Sequence, residues 1–455
     1  MPDKSPYTER YRPQFHFTAR ENWLNDPNGC VFANGEYHLF FQHNPVGVKW
    51  GNMTWGHAVS PDLVHWRQLP DAIRPYDGGT IFSGSAVVDV QNSSGFGPAG
   101  TSPLVAAFTH ARKPFGQALA FSLDNGRTWT LHDGGRHLVP NQGLDECERD
   151  PKVFWHLPSH RWIMVLWVQK NRARFFTSVD LKQWTHAGDF SGEGFYECAD
   201  LFELPVNGNP QDMKWVLVDA PFHYWLGSFD GVRFVPEAGP LQGDLGSNFY
   251  AAQTWNNTGR RVVQIGWMRD GAYPGMPFNQ QMSFPCELTL RTTPGGIRLF
   301  RMPVAEIERL RVGSDVVSDR MLHGGEELQI GQRGDLFDIA AEIEMPPDAA
   351  FGIRVHELDI ACANGRIRCL GKEAPLPEPA NVLSLRILVD RTSLEVYANQ
   401  GEVCMSSCFL PSERDTIVRC YAGSGAVRVR SFAVHRLCSA WEPETMSNQP
   451  SDRTR

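Results

Sequence analysis

Apolar and polar positions alternate at every second residue through most of the chain, and helical spacing is nearly absent from its first half. That period predicts strands with one buried face. A short apolar alternation stands at Tyr37-His38-Leu39-Phe40-Phe41, and β-rich runs stand at Thr54–Val59, Gln117–Phe121, Arg174–Thr177 and Tyr224–Gly227. The last four each run into a Ser-x-Asp turn that closes on an aromatic ring: Ser60-Pro-Asp62 with Trp66, Ser122-Leu-Asp124 with Trp129, Ser178-Val-Asp180 with Trp184, and Ser228-Phe-Asp230 with Phe234. The turns start 62, 56 and 50 residues apart. Four-stranded modules repeating at that length predict propeller blades, and sandwiches lack such a repeat. Four blades carry the mark, and Phe249 to Leu299 supplies an unmarked fifth.

After Leu299 the pattern changes. Val304–Arg311 is a helix-compatible linker with Ile307 and Leu310 on one side. Alternating runs follow at Asp335–Met345, Leu383–Val389, Ser393–Tyr397 and Ala426–Val434, separated by turn residues at sandwich-like intervals. The expected architecture is all-β: a five-bladed β-propeller catalytic domain over residues 1–303, a linker over 304–316, a β-sandwich over 317–440 and a disordered tail over 441–455.

Composition narrows the function classes. At 455 residues with 42% hydrophobic positions, the chain can bury two cores. Aromatics reach 11%, with 14 tryptophans, which suits sugar-binding faces as well as packing. A net charge of -8 and a pI near 6.0 argue against a nucleic-acid or anionic-membrane partner. The ten cysteines form no Cys-x-x-Cys pair and no zinc-finger spacing with His, so reduced thiols and no metal are expected. Met1-Pro-Asp-Lys-Ser opens no apolar leader, so the expected location is cytoplasmic, with a secreted form stripped of its leader as the alternative.

The repeat also sets a register for chemistry. Asp26 lies 34 residues before Ser60, Asp150 28 before Ser178, and Glu197 31 before Ser228. The segment Phe82-Ser83-Gly84-Ser85 lies 37 before Ser122. First strands surround a propeller's channel, so the three acids are expected to converge there. Two facing carboxyl groups can cleave a glycosidic bond, one attacking or activating water and the other protonating the leaving oxygen. Crowding and partial desolvation would keep the protonating acid neutral. The bland alternative is three unrelated solvated turns.

Trp23-Leu24-Asn25-Asp26-Pro27-Asn28-Gly29, Phe82-Ser83-Gly84-Ser85, Arg149-Asp150-Pro151 and Glu197-Cys198 together resemble the ordered signature of glycoside hydrolase family 32, and the likeness covers nearly the whole chain. Leu388–Tyr397 also resembles a strand pair of that family's C-terminal sandwich. The resemblance implies that Asp26 is the nucleophile, Glu197 the general acid/base and Asp150 a transition-state stabiliser with Arg149 beside it. It implies retention of configuration and no cofactor or metal. It places Asn25, Gln42, Trp50, Phe82 and Ser83 around the fructose; Trp267 is expected, apart from the resemblance, as a pocket wall. The loop after Gly266-Trp267-Met268 departs from the family pattern, reading Tyr273–Pro285 instead of a Pro-Thr-x-x-Trp-Arg segment.

Other residues have blander expectations. Trp55 belongs to the core, Gln42 could merely satisfy backbone, and Asp62, Asp124, Asp180 and Asp230 form turns. By strand alternation Asp200 points away from Glu197, and Cys198 faces opposite it in a packing role. Lys170-Asn-Arg172-Ala-Arg174 reads as a solvated hairpin. The leading function is a retaining β-fructosidase removing terminal fructose from levan- or inulin-type chains and from sucrose. The alternatives are a sucrose or sucrose-6-phosphate hydrolase, a fructosyltransferase and, in another class, a non-catalytic sugar-binding propeller.

Overall fold

The computed structural model describes residues 7–377, 382–411 and 417–441. Regular structure among them is strand apart from short 3-10 helices. The first blade is built from Asn22–Ala33, Glu36–Asn44, Thr54–Ser60 and Arg67–Ile73, paired antiparallel in that order. The second runs from Thr80–Val88 to Thr130–Leu131, the third from Arg149–His156 to Thr185–Ser191, and the fourth from Asp200–Val206 to Phe234–Gln242. Phe249–Thr254, Val263–Met268, Cys286–Thr293 and Gly296–Pro303 form the last group. First strands of neighbouring groups lie side by side: first with second, second with third, fourth with fifth, and fifth with first. This is a propeller with its first strands around the axis. The ring is clasped where Phe278 and Asn279 pair in parallel with Asn22 and Trp23.

The repeated turns work as the residue types dictate. Asp62 Oδ1 accepts the amides of Val64 and His65 at 3.1 and 2.9 Å, and Asp180 Oδ1 those of Lys182 and Gln183 at 2.9 and 2.8 Å. The closing rings anchor the same turns, Trp66 Nε1 donating to Leu63 O and Trp184 Nε1 to Leu181 O. Such side-chain-to-backbone bonds fix a hairpin that the next strand must leave in one direction. Between blades the packing is aromatic. Trp55 is fully buried with Phe40 and Phe108 between the first two blades. Phe154, Phe175, Trp215 and Phe229 fill the gap between the third and fourth. Full burial of one such ring is worth about 1.5–3 kcal/mol.

Beyond the propeller, a 3-10 helix over Ala305–Leu310 buries Ile307 and Leu310. The strand Arg311–His323 then starts inside the segment expected as linker, pairing with Ala426–Leu437 from Arg311 onward. Two six-stranded sheets face each other around Phe337, Ile339, Phe351, Ile353, Ile387 and Phe432. Trp441, expected in the tail, stacks on Tyr7 with ring centroids 4.0 Å apart; residues 442–455 lie outside the described residues.

Buried polar contacts weld the two domains. His16 is fully buried, with Nδ1 2.9 Å from Asp390 Oδ2 and Nε2 2.9 Å from Glu395 Oε2. The same Asp390 carboxylate accepts the backbone amides of Gln14, Phe15 and His16. A second weld pairs the buried Arg301 guanidinium with Asp244, which also accepts Ser406 N at 3.0 Å.

Candidate active site

Three carboxylates from three blades meet at one mouth of the axis. Asp26 sits in the first strand of the first blade, Asp150 at the start of the third, and Glu197 in the bend before the fourth. Asp26 Oδ2 accepts from Ser83 Oγ at 2.7 Å, and Oδ1 from Asn25 Nδ2 at 3.0 Å. Asn25 is itself fixed by Trp23 Nε1 at 2.8 Å. Two glycines make this possible. Gly29 has φ 54°, a left-handed conformation where a β-carbon would also strike Phe40. At Gly84, next to Ser83, a β-carbon would run into the carbonyl of Ala107.

Arg149 joins the other two acids. Its Nε and Nη2 donate to Glu197 Oε2 at 2.9 and 2.7 Å, and Nε lies 3.8 Å from Asp150 Oδ2. The guanidinium sits over the Trp167 ring, its Cζ 4.2 Å from the centroid, and donates to Cys147 O at 2.7 Å. Glu197 Oε1 accepts the Tyr250 hydroxyl at 2.7 Å. Glu197 is more open than Asp150, its side chain 19% exposed against 6%.

Burial pushes the Asp26 carboxyl above the usual range, with Glu197 adding to it while Asn25 and Ser83 pull it back. Asp150 is pushed up to about 7, first by burial; Arg149 opposes this, and the charges of Glu197 and Asp26 add to it. Three carboxylates against one guanidinium favour keeping a proton within the cluster.

Cys198 departs from its expected place. Its Sγ lies 3.4 Å from Asp150 Oδ2 and 3.7 Å from Asp26 Oδ2, and its amide donates to Asp150 Oδ2 at 3.0 Å. Alternation does not apply here, because Glu197 and Cys198 take φ values of 23° and 45° in a bend. Burial first, then the surrounding carboxylates, push the thiol well above its normal range, leaving it a neutral S–H. Asp150 is also left-handed, at φ 68°. Such backbone costs about 1–3 kcal/mol per residue and persists only where neighbours over-determine it. Part of that support is visible: Ala220 N donates to the Tyr196 and Glu197 carbonyls, and Asp219 Oδ2 accepts Tyr196 N.

The remaining expected residues divide into wall and support. Phe82 is half-buried and meets Trp50 edge-on, with centroids 5.9 Å apart; Trp50 is 58% exposed at the rim. Trp267 packs edge-on against Trp23 and Tyr250 at 6.2 and 6.1 Å. Its Nε1 donates to Gln280 Oε1, so the loop that departs from the family pattern holds this wall. Gln42 is buried, and with the Asn28 amide oriented to suit both partners, Gln42 Nε2 donates to Asn28 at 2.9 Å and Asn28 to Ser83 Oγ at 3.2 Å. Gln42 is thereby linked through Asn28 to Ser83, which holds Asp26. Arg174 pairs with Asp189 at 2.8 Å and is only 14% exposed, so of the hairpin expected to be solvated Lys170 alone is exposed and the rest is partly or fully buried. Sequence reasoning missed Tyr250, whose place at the start of the fifth blade's first strand was the available signal.

Comparison with known proteins gives a consistent picture. The family model described as "Glycosyl hydrolases family 32 N-terminal domain" matches residues 16–303, and "Glycosyl hydrolases family 32 C terminal" matches 363–436. The chain is 40% identical over 491 residues to a levanase of Bacillus subtilis (strain 168), covering 96% of this chain and 72% of that protein. It is 32% identical over 524 residues to the extracellular exo-inulinase inuE of Aspergillus niger, covering 96% of each. Its fold superposes on the crystal structure of exo-inulinase from Aspergillus awamori with a TM-score of 0.87 at 30% identity, covering 96% of this chain and 100% of that one.

Proposed function

The chain belongs to glycoside hydrolase family 32, and from that premise we propose that it is a retaining β-fructosidase acting on terminal fructose units of fructans. The observation that carries this reading is the meeting of Asp26, Asp150 and Glu197 from separate blades, bridged by Arg149 and Cys198. The levanase and exo-inulinase relatives support a fructan as substrate.

In this reading Asp26 attacks the anomeric carbon while Glu197 gives a proton to the departing oxygen, leaving a fructosyl ester on Asp26. Glu197 then takes a proton from water, whose oxygen attacks the same carbon and releases fructose and free Asp26. Ser83 and Asn25 hold Asp26 in place for the attack, one on each oxygen. Asp150 lies buried beside positive charge that forms on the sugar, where a carboxylate stabilises it most. Trp50, Phe82 and Trp267 supply apolar faces for sugar rings at the rim.

Incubation with levan, inulin and sucrose, following free fructose and oligosaccharides, tests the proposal. Fructose without a ladder of short products is expected, appearing first as the β-anomer. Glu197→Gln should bind substrate and lose turnover. Near-normal hydrolysis by that variant, or first release of the α-anomer, would overturn the assignment.

A further inference from the structure

Beneath the three acids lies a charged network that the catalytic reading does not use. Lys152 and Asp200 are buried, their side chains 2% and 1% exposed, with Lys152 Nζ 3.0 Å from Asp200 Oδ1. The ammonium also donates to Thr254 O at 2.9 Å and to Thr254 Oγ1 at 3.0 Å. Asp200 Oδ2 accepts from Thr254 N at 2.6 Å and Thr254 Oγ1 at 2.8 Å. Three blades are thus tied together at the axis, with Thr254 hydrogen-bonded to both partners and Asp200 Oδ1 held by the ammonium as an ionic contact without an aligned hydrogen bond.

The chain order of its members matches that of the site. Lys152 follows Asp150 on the same strand, Asp200 follows Glu197 and Cys198, and Thr254 follows Tyr250. Each site residue therefore stands a few positions above its own anchor. Lys152, Asp150 and Cys198 line the same narrow axial hollow. The left-handed backbone at Asp150, Glu197 and Cys198 needs fixing from its C-terminal side, where these anchors lie.

We propose that Lys152 and Asp200 are positioning residues for the reaction: their buried pair, completed by Thr254, sets the spacing of Asp150, Glu197 and Tyr250. This rests on the catalytic roles proposed above. An apolar pair of similar volume would serve stability as well, since buried ion pairs rarely outperform well-packed hydrophobes. Such a pair is not directional and would not hold three strands in one register.

The double variant Lys152→Met with Asp200→Leu tests this. It should remain folded, with kcat reduced on the order of 100-fold, the loss expected for a displacement of about 1 Å among reacting groups. KM should change little, and the pH dependence of kcat should shift as the spacing of the carboxylates changes. A folded double variant with wild-type kcat and pH profile would overturn the proposal. If that variant does not fold, Thr254→Val decides by the same two readings, because it removes one hydroxyl at nearly constant volume. Glu197→Gln in the same assays separates the premises: activity retained there sinks the catalytic reading, whereas activity retained only on loss of the pair sinks the positioning role.

Discussion

Tyr250 and Arg149 grip Glu197 from opposite sides, one on each carboxylate oxygen. A hydrogen bond to a charged group is worth about 1.5–3 kcal/mol, so Tyr250→Phe should lower kcat/KM by roughly 10- to 100-fold. Steady-state kinetics on a soluble fructan check this. Asp150 gives the pH dependence. Its proton is held more tightly in the folded protein than in the unfolded chain, so the stability it adds is present in acid and declines as pH rises from about 4 to about 7. Catalysis needs the ionised form, so kcat/KM should rise with pH along a limb near 7. Arg149→Gln removes the charge that favours the carboxylate, and that limb should move upward. A limb unmoved in Arg149→Gln would assign it to another group.

At the scale of single elements, the Ser-x-Asp turns were the most legible feature, because a short acid capping two amides is a local event written in consecutive residues. Asp180→Ala should cost about 1–2 kcal/mol by urea unfolding while leaving KM unchanged, since the bonds its carboxylate accepts, from Ser178 Oγ and the amides of Lys182 and Gln183, lie within its own hairpin. The same repeat placed Asp26, Asp150 and Glu197 in or just before the first strands of their blades, so their meeting could be read before any coordinates. Cys198 could not, because its direction is set by a left-handed bend and strand alternation misreads it. The Lys152–Asp200 pair was hidden for another reason: its partners come from different blades, and nothing near either residue announces the other. The start of the sandwich was read late because Arg311–His323 buries only Leu322 and exposes Val312 and Val316, so it shows no core-facing alternation and resembles a linker until paired.

Across the whole molecule, His16 is the most telling contact between domains. Burial alone would lower its pKa, but Asp390 and Glu395 on its two nitrogens raise it to about 9. The stability it contributes is fully present below about 6.5 and is lost as pH climbs through 9, amounting to about 3 kcal/mol. Thermal unfolding should therefore show the native chain well above His16→Gln near pH 6, with the gap closing toward pH 9.5. A gap independent of pH would mean that His16 is neutral in the interface.

The loop that departs from the family pattern has two duties. Gln280 braces Trp267, while its neighbours Phe278 and Asn279 lace the last blade to Asn22 and Trp23, and Asn279 Nδ2 reaches the carbonyl of Val48. Anyone breeding new substrate preference into this rim would be cutting the buckle of the belt. Variants selected there for taste should surrender heat resistance together with it, and compensating changes should surface on the Asn22 side of the seam.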